Sequence, residues 1–248
     1  MGDLRGVIFD LGSTLIRFRG DWSEVLGEGR GALVEWMQQA GYPIDGAAFS
    51  ADLEGAFRRN FEERRRDFRE RSSRLILKEV LSEYGLGQVP EADIQEALRR
   101  LYEPSEACWS AVPGVKDVLR RVSDMGLSLG LLSNASDVEN VERLLARAEL
   151  DETFDPVVIS AASGMRKPTP TLFLDIARAW DASPDEIVMV GDMLAEDILG
   201  AQRAGLHQIW VRGEADPAFN DEHLGRILPE VTVDSLLDVP GAVQALGA

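Results

Sequence analysis

The amino-acid sequence predicts an α/β fold in which a doubly wound parallel sheet is interrupted by an inserted all-helical segment. Three observations carry this reading. Short apolar, β-rich runs recur at residues 7–9, 127–132, 157–159, 187–190 and 209–211, separated by stretches of helical spacing with Gly or Pro punctuation. Their apolarity is continuous rather than alternating, as expected of strands covered on both faces in a parallel sheet. Between residues 18 and 111 no convincing strand is found, and helical spacing takes over near 32–40, 49–84 (broken once or twice) and 91–102.

The expected organisation is therefore a core built from residues 1–17 and 112–248, with a helical unit at 18–111. Gly20-Asp21 lies just inside the first boundary. Pro104 precedes the second, which closes at Pro113-Gly114 before a helix expected over 115–125.

Composition limits the function. The chain has 248 residues, 45% of them hydrophobic, enough for one or two domains with an ordinary core. Its net charge of −17 disfavours phosphate backbones and anionic lipid surfaces, so neither nucleic acid nor membrane is an expected partner. The acidity is uneven: residues 18–111 carry 13 basic and 18 acidic side chains, the remainder 13 and 25. Cys108 is the only cysteine and cannot form an intramolecular disulfide, which fits a reducing compartment. The N-terminal apolar run of three residues ends at Asp10, and no run approaches the ~20 residues of a membrane helix. A cytoplasmic monomer or homodimer is expected.

Taken in order, the predicted strands end in chemistry. The first ends in Asp10-Leu11-Gly12-Ser13-Thr14, placing a carboxylate at the carboxyl end of a buried strand, where open α/β sheets bind ligands. The second ends in Ser133-Asn134, a hydroxyl and an amide that also suit a helix N-cap. Gly164-Met165-Arg166-Lys167-Pro168 then sets Lys167 in a loop before a helix. Only three of the basic residues are lysines, and a compact ammonium suits a phosphoryl oxygen or a carboxylate. The fourth strand ends in Gly191-Asp192, and Asp197 follows five residues later. These oxygen ligands suit Mg²⁺. Glu196 reads as a solvated acid at a helix start.

Together and in this order, the four segments resemble the four motifs of the haloacid dehalogenase superfamily, and the helical insertion is similar to its helical cap. The resemblance implies a Rossmann-like core, with Asp10 as the nucleophile that forms an aspartyl-phosphate. It implies that Ser133 and Lys167 act in catalysis, and that Ser133, Asn134, Lys167 and Thr14 bind phosphate. It further implies a Mg²⁺ cofactor on Asp10, the Gly12 carbonyl, Asp192 and Asp197, with a small phosphorylated metabolite as substrate. Without a metal, the three aspartates would repel one another.

The chain departs from this pattern at Gly12, where family phosphatases usually carry a second Asp that protonates the leaving group. Such help is typically worth about 10²–10⁴-fold. Three alternatives follow: a 2-haloacid dehalogenase, which needs no such proton; a phosphonatase, for which Lys78 is the cap's sole lysine; and a non-catalytic binding protein.

Within the insertion, Glu62–Arg66, Asp67–Arg71 and Glu70–Arg74 are spaced as i,i+4 pairs of a solvated helix face, while Phe57, Phe61, Phe68 and Leu75 read as a packing stripe. Gly27-Glu28-Gly29-Arg30-Gly31 follows no strand and reads as a flexible loop or hinge. Trp22, Trp36 and Trp109 read as packing residues.

Overall fold

The computed structural model describes residues 4–214 and 217–247, so the outermost ends of the expected core, residues 1–3 and 248, lie outside the described residues. The chain opens with β1 (Gly6–Phe9) and β2 (Ile16–Phe18), then runs through α1 (Trp22–Gln39), α2 (Gly46–Asp67), α3 (Ser73–Glu83) and α4 (Glu91–Ala107). It returns through β3 (Trp109–Ala111), α5 (Val115–Ser123), β4 (Ser128–Ser133), α6 (Val138–Ala148), β5 (Val157–Ile159) and the short α7 (Ser160–Ser163). It ends with α8 (Pro170–Ala179), β6 (Ile187–Gly191), α9 (Leu199–Ala204), β7 (His207–Val211), β8 (Val231–Val233) and α10 (Val239–Leu246).

Six parallel strands form the main sheet in the order β5-β4-β1-β6-β7-β8, a doubly wound arrangement with β1 at the centre. In β1, Ile8 lies opposite Gly130 of β4 and Met189 of β6. Strand periodicity sends Val7 and Phe9 to one face, where they pack with α5, α6 and α10 residues such as Leu119, Leu145 and Val243. Ile8 faces the other side, with Phe173 and Ile176 of α8. Burial on both faces explains the unbroken apolar runs.

Helices α1–α4 enclose a separate apolar cluster that includes Leu33, Met37, Phe49, Leu53, Leu77 and Leu98. Asp21, Asp45 and Ser72 cap α1, α2 and α3 by accepting from backbone N–H groups in the first turn.

The structure corrects several expectations. β3 lies inside the segment read as strand-free and pairs antiparallel with β2, Phe18 opposite Trp109, so the chain leaves and re-enters the sheet through a two-stranded ribbon. β3 (Trp-Ser-Ala) and β8 (Val-Thr-Val) each carry a hydroxyl residue at the centre and lack the unbroken apolar run that marked the equally short β5, so both were missed. Gly27–Gly31 is not a loop but part of α1. Gly29 is there for contact: a Cβ would lie 2.1 Å from the Leu101 carbonyl oxygen of α4, so the glycine lets the two helices touch.

The arginine run also differs. α2 stops at Asp67, with Phe68 in a left-handed conformation, so Asp67–Arg71 and Glu70–Arg74 do not share a helix. Arg71 pairs instead with Glu79, Arg74 with Glu139 (3.0 Å) and Glu91, and Glu70 is buried. Phe61, Phe68 and Leu75 are 47%, 38% and 45% exposed, so the predicted packing stripe is only partly packed.

The glycines of α1 give a matched test. Gly27 and Gly31 have open space where a Cβ would go. Ala at either is expected to raise stability by about 0.5–1 kcal/mol. Gly29→Ala, by contrast, should lower it by about 1–3 kcal/mol or more through overpacking. Denaturant unfolding of the three variants checks the difference in sign.

Candidate active site

The sheet brings the carboxyl ends of β1, β4 and β6 together at its centre. Asp10 follows β1 and donates its backbone N–H to the Val190 carbonyl of β6 (2.9 Å), Ser133 ends β4, and Asp192 follows β6. Beside them the buried Lys167 Nζ lies 2.5 Å from Asp10 Oδ1 and 2.7 Å from Asp197 Oδ1, and donates to the Leu132 carbonyl (2.9 Å).

Asp197 enters through one π turn, Leu194–Ile198, a wide turn of the kind found at functional sites. The Met193 N–H donates to its Oδ2 (2.9 Å), and the carboxylate sits flat against the end of β6. A Cβ on Gly191 would lie 2.3 Å from Asp197 Cγ, so only glycine permits this approach.

One oxygen from each of Asp10, Asp192 and Asp197 lies within 4.8 Å of the others, and all three residues are buried. Burial pushes each carboxyl group above its usual range, against the pull of Lys167. At Asp192 the charges of Asp10 and Asp197 push in the same direction. Burial would lower the Lys167 ammonium, but Asp10 and Asp197 outweigh it and hold the lysine charged. Fully ionised, three carboxylates against one ammonium would leave two negative charges in excess. Hard oxygen donors with that excess fit a divalent cation.

The remaining sequence-predicted residues take distinct places. Thr14 is buried and its hydroxyl is 3.3 Å from Asp192 Oδ1, to which it donates; it does not line the cavity above Asp10. Ser13 lines it instead, in a left-handed conformation (φ 58°) that turns the loop after Gly12. Asn134 accepts from the Lys167 N–H (2.8 Å) and donates to the Lys167 carbonyl (3.2 Å) and to Glu196 Oε2 (2.7 Å), so its amide is engaged in holding the lysine loop. It does not cap α6, which Asp137 does. Lys78 pairs with Glu91 (2.6 Å), half-exposed, and does not line the cavity.

Gly12 also lines the cavity, and Trp109 packs beside it, with Cη2 3.4 Å from where a Cβ would stand, an ordinary van der Waals contact. An indole from β3 is thus the neighbour of this position.

Sequence reasoning missed a polar network that ties the helical unit to this site. Residues between α2 and α3 lie along the loop before Lys167: Arg69 bridges Met165, the Glu70 N–H donates to the Gly164 carbonyl (3.0 Å), and the Arg166 N–H to the Phe68 carbonyl (3.2 Å). The buried Glu70 carboxylate accepts from Arg166 Nη1 (3.1 Å) and Ser136 Oγ (3.1 Å), with Ser160 Oγ also at 3.1 Å. Arg166 donates onward to Glu196 Oε1 (2.9 Å), which Asn134 joins to Lys167. Glu196 is therefore paired rather than a solvated helix-start acid. The only local signal was Arg166 beside Lys167; nothing in a run of charges marks Glu70 as the buried one.

Removing one partner of a buried ion pair strands the other, so Glu70→Ala is expected to cost about 3–5 kcal/mol. Glu63→Ala, on the exposed face of α2, should change stability by less than about 0.5 kcal/mol. Thermal melting of the two variants side by side checks this.

The sequence matches the model of the haloacid dehalogenase-like hydrolase family over residues 4–205. It is 28% identical over 225 residues to the glyceraldehyde 3-phosphate phosphatase of Pyrococcus abyssi, covering 84% of this chain and 82% of that protein. It is 31% identical to the protein of that name from Methanopyrus kandleri, covering 66% and 76%. Among solved structures it is similar to the 2-haloacid dehalogenase of Pseudomonas syringae pv. Tomato DC3000, with TM-score 0.66 and 25% identity, covering 99% and 100% of the two chains. A match over most of the chain, on a doubly wound sheet with acidic residues at the ends of its central strands, makes this protein a member of the haloacid dehalogenase-like hydrolase family.

Proposed function

We propose that this protein is a Mg²⁺-dependent hydrolase of phosphomonoesters, working through an aspartyl-phosphate on Asp10, with residues 18–111 as a cap over the site. The observation that carries this reading is the buried cluster of three aspartates around a single lysine. The relatives named as glyceraldehyde 3-phosphate phosphatases, and a phosphoserine phosphatase from Thermus thermophilus that is 33% identical over 58% of this chain and 54% of its own, support the substrate class.

Lys167 engages Asp10 Oδ1, which leaves Oδ2 for attack on phosphorus. The Oδ2–P bond forms as the bond to the leaving oxygen breaks, and water then attacks the acyl phosphate, releasing inorganic phosphate and restoring the carboxylate. Splitting one displacement into two lowers each barrier. Ser133 donates to a phosphoryl oxygen, while Lys167 offsets charge on the phosphoryl group and on Asp10. When bound to Asp10, Asp192, Asp197 and the Gly12 carbonyl, Mg²⁺ supplies the two positive charges that this cluster lacks.

With glycine at position 12 and Trp109 against it, that position supplies no acid for the leaving oxygen. Leaving groups that need no proton are favoured. One further reading has a specific observation behind it: 2-haloacid dehalogenation needs no leaving-group proton, and the similar solved dehalogenase shares the whole architecture. The excess of buried carboxylate favours the metal-dependent phosphatase.

Asp10→Asn is expected to abolish Mg²⁺-dependent phosphate release from p-nitrophenyl phosphate; unchanged turnover overturns the nucleophile. Halide release from 2-chloropropionate, with no phosphate release, selects the dehalogenase. Silence on both leaves a binding protein.

Metal binding has its own readout. At about 100 times its dissociation constant Mg²⁺ should stabilise the fold by about 2.7 kcal/mol, or roughly 5–10 °C for a chain of this size. The shift should shrink sharply in Asp192→Asn.

A further inference from the structure

The cavity above Asp10 is larger than a phosphoryl group needs. Its volume is about 740 Å³, within the range of pockets that enclose a whole organic ligand, about 300–1,000 Å³. Its aromatic wall begins at the reacting carboxylate's own loop. Trp109 lies against Gly12; Trp22 of α1 meets the Trp109 ring edge-on at 5.8 Å; Phe18 stacks on one face of Trp22 at 3.9 Å.

Around that wall, large apolar side chains stand half-exposed. Trp22 is 48% exposed, Leu26 49%, Phe61 47% and Phe219 57%, and all four line this one cavity, from α1, α2 and the segment Pro217–Phe219. Single exposed apolar residues are ordinary; four that converge on one cavity from three segments mark a binding surface.

Many of the polar groups that line the same cavity already have partners within the protein, whereas Asn60 Oδ1 is buried there without one among the described residues. The Tyr102 hydroxyl lies 2.5 Å from Ser73 Oγ, and Ser105 donates to the Tyr102 carbonyl (2.8 Å). Asn140 donates to Glu106 (2.8 Å), Arg30 pairs with Glu54 (3.1 Å), and Arg64 donates to Ser136 (3.2 Å). The apolar wall is thus the larger unsatisfied surface above the phosphate, and a ring displaces water from it, with Asn60 left for a single polar group on such a body.

We propose that this wall is the subsite for the alcohol part of the substrate, and that the substrate is the phosphomonoester of an alcohol bearing a ring-sized, predominantly apolar body. The inference rests on the phosphatase reading for its phosphate end and on the cavity wall for its body.

Three primary alkyl phosphates, compared by KM, test it: 3-phenylpropyl phosphate, propyl phosphate and glycerol 3-phosphate. Burying the ring should lower KM for the phenylpropyl ester about 10- to 100-fold relative to the other two, with kcat little changed. Trp22→Ala combined with Phe61→Ala should cut that preference to within a few-fold. Equal KM values for the three esters in the unaltered enzyme overturn the subsite while leaving the phosphatase reading intact. The converse is read by calorimetry on Asp10→Asn: if the unaltered enzyme turns over none of the esters, a 10-fold tighter binding of the phenylpropyl ester supports the subsite without the phosphatase chemistry. Equal affinities there overturn it.

Discussion

Three carboxylates and one ammonium, buried together at the end of a parallel sheet, set the terms for the rest of this structure. Like charges in a low dielectric repel strongly, and each carboxyl group is pushed above its usual range by burial. Such a cluster persists only where the backbone holds it. Here the support comes from a glycine at the end of β6 that admits Asp197, a π turn that swings it inward, and an asparagine that fixes the loop carrying Lys167. The fold holds charge in place ahead of any ligand, as electrostatic catalysis requires.

The same constraint reaches into the helical unit. Glu70, far from the aspartates in the chain, is buried against Arg166, and through Glu196 and Asn134 it joins the group of contacts that sets Lys167. Docking of the segment between α2 and α3 and the placement of the lysine are thus parts of one network. Trp109 makes a second link: it belongs to the ribbon through which the chain returns to the sheet, yet it lies against Gly12, close to Asp10. Under the proposed chemistry, the glycine at position 12 and the apolar wall above it adjoin, because the indole lies in contact with the place where a side chain would begin.

Much of the core was legible because its signals are local. Unbroken apolar runs marked five of the six sheet strands, and residues such as Asp10 and Asp192 stood at strand ends where the α/β topology collects ligands. Where the local signal was weak or shared, the reading failed. Gly27–Gly31 has the composition of a loop, but packing against Leu101 makes it helix, because tertiary contact outweighs a propensity cost of about 1 kcal/mol per glycine. The arginine run has the spacing of a solvated face, but α2 ends at Asp67 and redistributes its charges.

The sequence alone determined the sheet, its interruption by helices and the residues at the ends of its central strands, since these follow from periodicity and turn chemistry over a few residues. Tertiary structure decided which of those residues face the cavity. Thr14 turns to Asp192 while Ser13 lines the opening, Asn134 holds a loop, and a glutamate indistinguishable from its neighbours becomes the buried partner of Arg166. The reason is physical. A side chain's burial and its partners depend on segments distant in the chain, such as Trp109 of β3 against Gly12 and residues 68–70 along 164–166, and no local pattern encodes those approaches.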